Sequence, residues 1–599
     1  MVQTLRRRDG GDGKRSRRLV AFALAALFAS SLALAGLPAT PRLAHARQAG
    51  AGVAPELRAA AERVSADSLR GHLTFIASDA LEGRATPSRG LDSAAEYIAA
   101  QFRRAGLEPV GNEGYFQTAD WLLRGRNPAG FALTLHAPSG DRTVGAEQVS
   151  LTFDVQGRSL FSVGETPLAL ERAPVFKVDF ADAAALAALR PEQLKGRVVV
   201  TEIPDFRRED RATWREAFQK RQEFLGRLST LGATAVLSFD RRGERGTGGG
   251  TPRLVDPEAR PARPQAAGTT PGGAPASGAQ AGATPPSGAA TTPRAAATPP
   301  GGAATTPPAA PPVRFVTVHG AQAATFYDSL KPGATDATVT LLSQAPSERP
   351  VKVRNVVGLL RGSDPTLRDT YVILSAHYDH VGVREGGEDG DRIFNGANDD
   401  GSGTVSVIEL ANALASMKTR PKRSILFVTF FGEELGLVGS RYYGRHPVVP
   451  IEKTVAQVNL EQVGRTDDSE GPQVAAAAVT GYDFSDVGES LRAAGERAGV
   501  RFYKHPTKSD AFFGRSDNQS LADQGVPAHT VGVAFEFPDY HAVGDHWEKI
   551  DYANMERIVR AVMLGLHAIA DSTNEPRWNE TNPKAARYLE AWRARRAAK

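Results

Sequence analysis

The 599-residue sequence contains no cysteine. This absence excludes disulfide bonds and thiolate metal sites, so a metal ion would have to be held by histidine, aspartate and glutamate side chains. A basic face is also lacking. The formal net charge is +5, and much of it lies in the run Arg6 to Arg18 and in the C-terminal Arg593 to Lys599. Without basic residues interleaved with aromatic ones, the sequence does not favour a nucleic-acid partner.

Long apolar runs are scarce, and the clearest one is N-terminal. The basic run 6–18 precedes an apolar stretch from Leu19 to about Leu37 and the small-x-small sequence Ala44-His45-Ala46. This order is typical of a secretory signal, so we expect residues 1–46 to be a signal peptide and the protein to be exported, periplasmic or extracellular. An uncleaved anchor helix is the alternative, because the stretch approaches membrane-spanning length. Pro38 and the cleavage site favour removal, and no later segment is expected to span a membrane.

Changes in composition divide the rest of the chain. Residues 251–312 are rich in Pro, Ala, Thr and Gly, with almost no aliphatic or aromatic content. Such a stretch cannot bury enough apolar surface to offset the entropy lost on ordering, so we expect a disordered loop there. Short β-like runs flank the loop on both sides. The predicted organisation is a helical N-terminal part (47–124), a β-rich module (125–348), an α/β domain (349–572) and a C-terminal tail (573–599).

Strand-like and helix-like segments alternate in the α/β domain. Apolar runs at 371–375, 424–430 and 454–460 are separated by helix-like segments such as 402–416. This alternation predicts an α/β fold with a mostly parallel central sheet flanked by helices. In such sheets, functional groups collect beyond the carboxyl ends of the strands. We expect the helix 552–571 to pack on the sheet and the Arg/Ala-rich tail after it to lie at the surface.

Acidic residues and histidines follow these strands with few basic residues to compensate them. Desolvating a charge costs several kcal/mol, so carboxylates at the ends of buried strands need a counter-charge, and divalent cations supply one. The residues concerned are His377 and Asp379, Asp399 in the Gly-rich loop 395–403, Glu433 and Glu434, Glu461, and Tyr540 and His541.

Each of these signals is ambiguous when taken alone. A His-x-Asp sequence is often a hydrogen-bonded surface pair, and two adjacent glutamates often begin a solvated helix. The Gly-rich loop is compatible with a simple turn or a phosphate cradle, although it lacks a Lys-Ser/Thr pair and carries two carboxylates that repel phosphate. Their joint order on successive strand ends is what favours a metal site.

That order resembles the secreted di-zinc aminopeptidase family of clan MH, which also contains glutamate carboxypeptidase, the transferrin receptor and glutaminyl cyclases. The resemblance covers roughly residues 350–570, and the helical stretch with Ala77 to Arg84 is similar to the family's N-terminal part. Residues 125–348 resemble its inserted protease-associated domain. The resemblance implies the phosphorylase/hydrolase-like zinc peptidase fold, two Zn²⁺ ions and peptide substrates; nothing in the sequence indicates an oligomeric state.

The resemblance also implies a role for each residue of the motif. His377 and Glu461 would hold one zinc, Glu434 and His541 the other, and Asp399 would bridge both. Glu433 would be the general base, Asp379 would orient His377, and Tyr540 would stabilise the oxyanion. A cis peptide bond is implied between Asp399 and Asp400. His380, His505 and His546 are interpreted as structural or surface residues, and Asn518 stands where relatives often have histidine.

The sequence therefore predicts an exported zinc-dependent exopeptidase, an aminopeptidase in the first instance. A carboxypeptidase acting on acidic C-terminal residues is an alternative, and it would need arginines such as Arg384, Arg392, Arg465 and Arg515 to converge on the site. A glutaminyl cyclase is less favoured because those enzymes bind one zinc. A non-catalytic receptor-like relative would have lost ligands, whereas all five ligand positions and the base are present here.

Overall fold

The computed structural model describes residues 52–597 apart from 126, 128–129, 146–148, 151, 156–157, 163–166, 204–210, 242–252, 259–313, 346 and 385–389. The predicted signal peptide 1–46 and nearly all of the predicted loop 251–312 lie outside the described residues. Among the described residues, no helix combines the length and the apolar character needed to cross a membrane.

A nine-stranded sheet forms the centre of the molecule. Its middle four strands are parallel, and antiparallel pairs join them to the strands on both sides. From edge to edge the strands are Arg253–Val255, Phe116–Gly125, Ser347–Leu360, Ser424–Phe430, Tyr371–His377, Thr454–Leu460, Ala528–Gly532, Ala476–Val479 and Arg501–Tyr503. The predicted α/β fold is confirmed, with parallel pairing among the four central strands, antiparallel pairs on both sides of them, and a further parallel pair of Ala476–Val479 with Arg501–Tyr503 at one edge.

The parallel strands are buried along their whole length, because both faces of the sheet are covered. Successive residues point to opposite faces, so Val372 and Leu374 belong to one apolar core and Ile373 to another. The first face is covered by helices Ala66–Ile76, Arg89–Arg104, Ser402–Ala415, Asp486–Ala498 and Tyr552–Asp571. The second is covered by Val438–Arg445, Asn518–Ala522 and Ala586–Ala597.

The C-terminal tail differs from the expectation that it lies at the surface. Trp578 is 2% exposed, and it belongs to the second core together with Tyr588 and Leu589 of the last helix. Burying a large apolar side chain of this kind stabilises a fold by about 1.5–3 kcal/mol. The basic side chains of the tail are compatible with this packing because only one side of the segment is buried.

A second sheet of eight strands lies within the segment 132–343. It has its own apolar cores and mixes antiparallel with parallel pairs. Its strands, in spatial order, are Gly140–Val144, Ala132–Ala137, Gly333–Ser343, Leu168–Lys177, Val198–Thr201, Ala235–Asp240, Arg314–His319 and Val149–Ser150. The same segment contains helices Ala183–Ala188, Pro191–Leu194, Arg211–Thr230 and Ala321–Ser329.

Two strands of the central sheet connect it to the second module, and the sequence pattern did not show where the sheet ends and the module begins. Phe116–Gly125 leads into the module and Ser347–Leu360 leads out of it, and the two pair with each other over ten residues of the central sheet. Arg253–Val255 lies inside the predicted disordered loop but forms an edge strand against Phe116–Gly125. Buried Leu254 explains this local order.

The remaining helices and strands are short. They are the helices Pro55–Ala61 and Lys508–Ala511, the 3₁₀ segments Asp79–Arg84, Ile451–Lys453, Phe513–Arg515, Trp547–Lys549 and Pro583–Ala585, and three two-stranded ribbons. The ribbons pair Thr152–Val155 with Arg158–Ser162, Gly382–Val383 with Ile393–Phe394, and Asp467–Asp468 with Gly471–Pro472.

Candidate metal centre

The carboxyl ends of the parallel strands bring the predicted residues to one place. His377 is the last residue of its strand, and Glu461 directly follows the strand Thr454–Leu460. Glu433 and Glu434 follow the strand Ser424–Phe430. Because parallel strands all end at the same edge of the sheet, residues up to 84 positions apart in sequence share one site.

One group of potential ligand atoms comes from His377, Asp399 and Glu461, whose donor atoms lie within 4.8 Å of one another. Nε2 of His377 is 3.3 Å from Oδ1 of Asp399. Ligands of one tetrahedral zinc ion are roughly 3.3 Å apart, as follows from bonds of about 2.0–2.1 Å. The spacing in this group therefore fits one zinc ion.

A second group adjoins the first and shares Asp399 with it. It contains Asp399, Glu434, His541 and His380, again with donor atoms within 4.8 Å of one another. Nε2 of His541 is 3.1 Å from Oδ2 of Asp399 and 3.1 Å from Oε1 of Glu434. The two oxygens of Asp399 thus face different groups, which is the arrangement a bridging carboxylate requires.

Several buried donor atoms in these groups have no hydrogen-bond partner among the described residues. They include His377 Nε2, Asp399 Oδ2, Glu434 Oε1, Glu461 Oε2 and both ring nitrogens of His380. Leaving a buried polar group unsatisfied costs about 1–3 kcal/mol, and more for a charged one. So many unsatisfied atoms within two adjacent groups are compatible with bound cations, and imidazole and carboxylate donors suit zinc.

The electrostatics of the site support the same interpretation. Burial raises the pKa of Glu461 to about 7 and, reinforced by neighbouring carboxylates, raises that of Glu433 well above its usual range. Burial also raises the pKa of Glu434, but the imidazoles of His380 and His541 bring it down to about 2. Burial would lower the pKa of His541, yet Asp399 and Glu434 raise it to about 10. The carboxylates therefore depend on nearby positive charge to remain ionised.

The loop that carries Asp399 is held by two aspartates. Both oxygens of Asp545 accept hydrogen bonds of 3.0 Å from the backbone N–H of Asn398, and Oδ2 accepts one of 3.1 Å from Asp399. Asp400 accepts hydrogen bonds from the backbone N–H groups of His377, Gly403 and Gln462. The Asp399–Asp400 peptide bond is cis, as the resemblance implies.

Arg84 supports the same loop from the N-terminal part of the chain. Its side chain is completely buried and donates hydrogen bonds to the carbonyl oxygens of Tyr378, Ile76, Asn395 and Gly396 at 2.6–2.9 Å. Burial lowers the pKa of Arg84 to about 10, although nearby aspartates oppose the shift. A positively charged guanidinium thus lies near the carboxylates, while its own N–H groups donate to main-chain carbonyl oxygens.

Neither Arg84 nor Asp545 was predicted from the sequence. The partners of Arg84 are backbone carbonyls, and every residue has one, so the sequence does not indicate which of them Arg84 binds. Asp545 follows His541 by four positions, and this acidic residue so close to a candidate ligand was a signal that could have been used.

The three predicted non-ligand residues lie around the two groups. Asp379 is fully buried; its main-chain oxygen lies 3.2 Å from Nδ1 of His377 and its Oδ1 lies 3.5 Å from the same nitrogen. Oε2 of Glu433 is 4.0 Å from Nε2 of His377, and the Glu433 backbone N–H donates to Oδ1 of Asp379 at 3.1 Å. The Tyr540 ring stacks on His541 with 4.0 Å between centroids. Burial and nearby carboxylates raise the pKa of Tyr540, so its hydroxyl stays protonated.

Other histidines fall into two kinds. His546 and His505 lie outside both groups and face Asp391 and Glu470, respectively. His380, by contrast, is 1% exposed and contributes to the second group, so of its two predicted interpretations, structural or surface, the surface one is wrong. Its ring enters the site because Gly396, at φ +58°, leaves room for it.

Asn518 and three of the four arginines considered for substrate binding make contacts of their own. The Asn518 side chain donates to the carbonyl of Phe513 and accepts a 2.8 Å hydrogen bond from Thr530. Arg465 pairs with Asp467 and Asp539. Arg384 and Arg515 lie over the rings of Phe394 and Phe512, respectively.

A parallel α/β core with imidazole and carboxylate donors beyond its strand ends is the arrangement of a metallohydrolase. Residues 355–565 match the sequence profile of peptidase family M28. The predicted resemblance to a peptidase family is thus confirmed for these residues, which make up about a third of the chain.

Curated relatives are similar over parts of their length. The chain is 27% identical over 244 residues to "Aminopeptidase YwaD" of Bacillus subtilis strain 168, covering 39% of this chain and 47% of that protein. It is 34% identical over 122 residues to a "Probable zinc metalloprotease" of Pyrenophora teres f. teres, covering 20% of this chain and 25% of that protein. The chain thus spans less than half the length of either relative.

Matches among solved structures include an aminopeptidase from Aneurinibacillus sp. strain AM-1. That match has a TM-score of 0.47 and 17% identity and covers 87% of this chain and 99% of the other. BSAP, a zinc aminopeptidase from Bacillus subtilis, matches with a TM-score of 0.46 and 17% identity over 84% of this chain and 94% of its own.

Proposed function

We propose that the protein is an exported aminopeptidase that uses two zinc ions to hydrolyse the N-terminal peptide bond of its substrates. The observation that carries the proposal is the position of Asp399, whose two carboxylate oxygens face two separate groups of buried donors. His377 and Glu461 would hold one ion with Asp399, and Glu434 and His541 would hold the other. The bound zinc ions would polarise the scissile carbonyl group and lower the pKa of the attacking water.

Glu433 is the residue placed to move protons. Its backbone is fixed by the hydrogen bond to Asp379, and its carboxylate lies beside His377 rather than in either donor group. Burial and neighbouring carboxylates raise the pKa of Glu433, which makes the side chain a stronger base for taking a proton from water and passing it to the leaving amine. Tyr540, which stays protonated, is the donor for the oxyanion. Asp379 orients His377 by its contacts with Nδ1.

The charge of the site favours a substrate with a free amino terminus. Carboxylates of Asp379, Glu433 and Asp517 remain around the proposed ligands, and Asp517 is fully buried with no hydrogen bond to either oxygen. Burial raises the pKa of Glu433 and of Asp517, so a cationic α-amino group bound beside them would favour their ionised forms and be held by them. Arg84, which is buried beside the loop that carries Asp399, is committed to carbonyl oxygens, and this argues against its binding an acidic C-terminal residue as a carboxypeptidase would require.

The proposed function also covers the N-terminal residues and the module with the second sheet. The basic and apolar N-terminal residues support export, with residues 1–46 removed as a signal peptide. The module with the second sheet, residues 125–348, is proposed to be an inserted protease-associated domain. Its two connections to the central sheet support the idea of an insertion into the peptidase domain.

The test compares unblocked peptides with the same peptides N-acetylated, with and without a chelator. We expect free amino acid to be released from unblocked peptides alone, and release to stop on chelation and to return with added zinc. Cleavage that is indifferent to acetylation would favour the carboxypeptidase instead. Zinc content of one ion per chain at saturation would contradict the two-ion centre.

A further inference from the structure

We propose that His380 is a direct metal ligand, completing the second group of donors with Asp399, Glu434 and His541. This inference rests on the proposed zinc centre and adds to it a residue that lies outside the predicted set of ligands. The site would then have four protein donors, two of them imidazoles.

The position of His380 resembles that of a ligand more than that of a hydrogen-bonded core histidine. Its side chain is completely shielded from solvent, and Nδ1 lies 2.8 Å from Oε1 of Glu434. Despite this short distance, neither ring nitrogen of His380 makes a hydrogen bond, and Oε1 of Glu434 makes none either. The two atoms are therefore close to each other without being directed at each other.

His377 shows the same combination. Its Nε2 lies 3.3 Å from Oδ1 of Asp399, yet it too has no hydrogen-bond partner. Atoms that bind one ion lie close together with their lone pairs directed at the ion between them, so close approach without a mutual hydrogen bond is compatible with two ligands of one metal. A buried imidazole with no partner of any kind would instead lose the hydrogen bonds it makes in water.

The loop opposite His380 is shaped to admit its ring. Gly396 has φ +58°, and a Cβ atom there would lie 2.4 Å from Cγ of His380. The ring also meets the His541 ring edge to face, with 5.5 Å between centroids. The backbone N–H of His380 is fixed separately by the carbonyl of Arg84 at 3.2 Å. The imidazole is thus confined against the donors of the second group.

The two metal positions would then differ in character. The group of His377, Asp399 and Glu461 offers three protein donors, whereas the group with His380 offers four. Zinc with three protein ligands keeps a position for water or substrate, and zinc with four would have to become five-coordinate to take part in the reaction. We therefore expect the ion beside His380 to bind more tightly and to exchange more slowly than the other.

The first experiment measures zinc binding to the full chain in metal-buffered solution. Wild type should bind two ions, one tightly and one more weakly. The variant His380→Ala should bind the tight ion at least about tenfold more weakly, because losing even a residue that only supports a ligand costs about 10–100-fold in affinity, while the other ion keeps its affinity. His505→Ala, which removes another buried histidine that pairs with Glu470 outside the site, is the matched control.

The second experiment separates a ligand from a supporting residue. The chain has no cysteine, so the variant His380→Cys carries a single thiol, at position 380. The metal–sulfur bond, about 2.3 Å against about 2.0 Å for nitrogen, compensates in part for the shorter side chain. When loaded with Co²⁺, this variant should show a thiolate-to-metal charge-transfer band in the near ultraviolet, and His505→Cys should not.

The results distinguish this inference from the proposed function. Unchanged affinity in His380→Ala, or absence of the band in folded His380→Cys, overturns direct coordination while the two-zinc aminopeptidase stands. A wild-type chain that binds no zinc overturns both. The band in His380→Cys is read on folded protein, so it decides the question even if His380→Ala does not fold.

Discussion

The guanidinium of Arg84 donates a 2.9 Å hydrogen bond to the carbonyl of Gly396, in the loop that carries Asp399. The same side chain binds the carbonyls of Tyr378 and Asn395. A residue of the N-terminal segment therefore fixes both chain segments from which candidate ligands project. Arg84 touches neither substrate nor reacting atoms in this arrangement and acts by positioning.

Replacement of Arg84 should weaken both the fold and the metal centre. Arg84→Met leaves four buried carbonyls without donors, at about 1–3 kcal/mol for each group that stays unsatisfied, so we expect at least about 3 kcal/mol of destabilisation in urea unfolding. Arg84→Lys keeps the charge but cannot reach four acceptors, and should recover part of the stability and part of the zinc affinity. Arg104→Met, at an exposed position, is the control; equal behaviour of the two Met variants would remove Arg84 from this role.

Replacement of Glu433 should separate metal binding from turnover. Glu433→Gln keeps the size of the side chain but cannot accept a proton, so we expect kcat to fall by about 10²–10⁴ with zinc content unchanged. The measurements are steady-state kinetics on an unblocked peptide and metal analysis of the same sample. Glu470→Gln, at a carboxylate that pairs with His505, should keep wild-type kcat, and a Glu433→Gln enzyme with full activity would exclude the residue as the base.

Replacement of the shared carboxylate should affect both metal positions. Asp399→Asn weakens the ligand that faces both groups, so both zinc affinities should fall. Glu461→Gln alters only the group with His377, so one ion should be lost and the other retained. Equilibrium dialysis with metal analysis checks the pattern, with Asp141→Asn in the second module as control. Loss of a single ion from Asp399→Asn would contradict the bridging role.

His529 should make stability depend on pH. Nδ1 of this buried ring donates to the carbonyl of Thr480 and Nε2 faces the hydroxyl of Ser485, which suits the neutral form. Burial lowers the pKa of His529 from 6.5 to about 4. Between these values the unfolded chain takes up a proton that the folded chain does not, so stability falls as the pH falls.

From pH 7 to pH 5 this histidine should cost about 2 kcal/mol of the free energy of unfolding. The variant His529→Gln has no group that titrates there, so its stability should change less over the same interval. Urea unfolding of both proteins at the two pH values provides the measurement. Parallel pH profiles would show that His529 is not responsible.

The parts of the fold and of the site that follow from the sequence are those with a periodic or local signal. The helix predicted at 552–571 has those bounds, and the helix predicted at 402–416 spans Ser402–Ala415. His377, Glu434 and Glu461 meet because residues at or shortly after the ends of buried parallel strands gather at one edge of the sheet, and Asp399 and His541 reach the same edge from loops. Strand order did not have to be known for that argument.

What the sequence did not reveal depends on contacts between distant segments. His380 approaches the second donor group only because Gly396 adopts a left-handed conformation beside it, and no spacing rule encodes that pair. Arg84 acts on main-chain oxygens. The tail was judged by its arginines and alanines, although Trp578, Tyr588 and Leu589 carried an apolar signal that explains its burial.

The short edge strand Arg253–Val255 has a mechanical consequence. It pairs with Leu122 to Arg124, and just after it Glu258 lies within 3.0 Å of His446, next to the helix Val438–Arg445. The module with the second sheet is consequently attached to the central sheet by three strands, Phe116–Gly125, Arg253–Val255 and Ser347–Leu360, instead of the two that an insertion needs. A rigid-body rotation of the module would have to break the strand-pairing hydrogen bonds at this third attachment. The hinge of any such rotation must therefore lie between the third strand and the module.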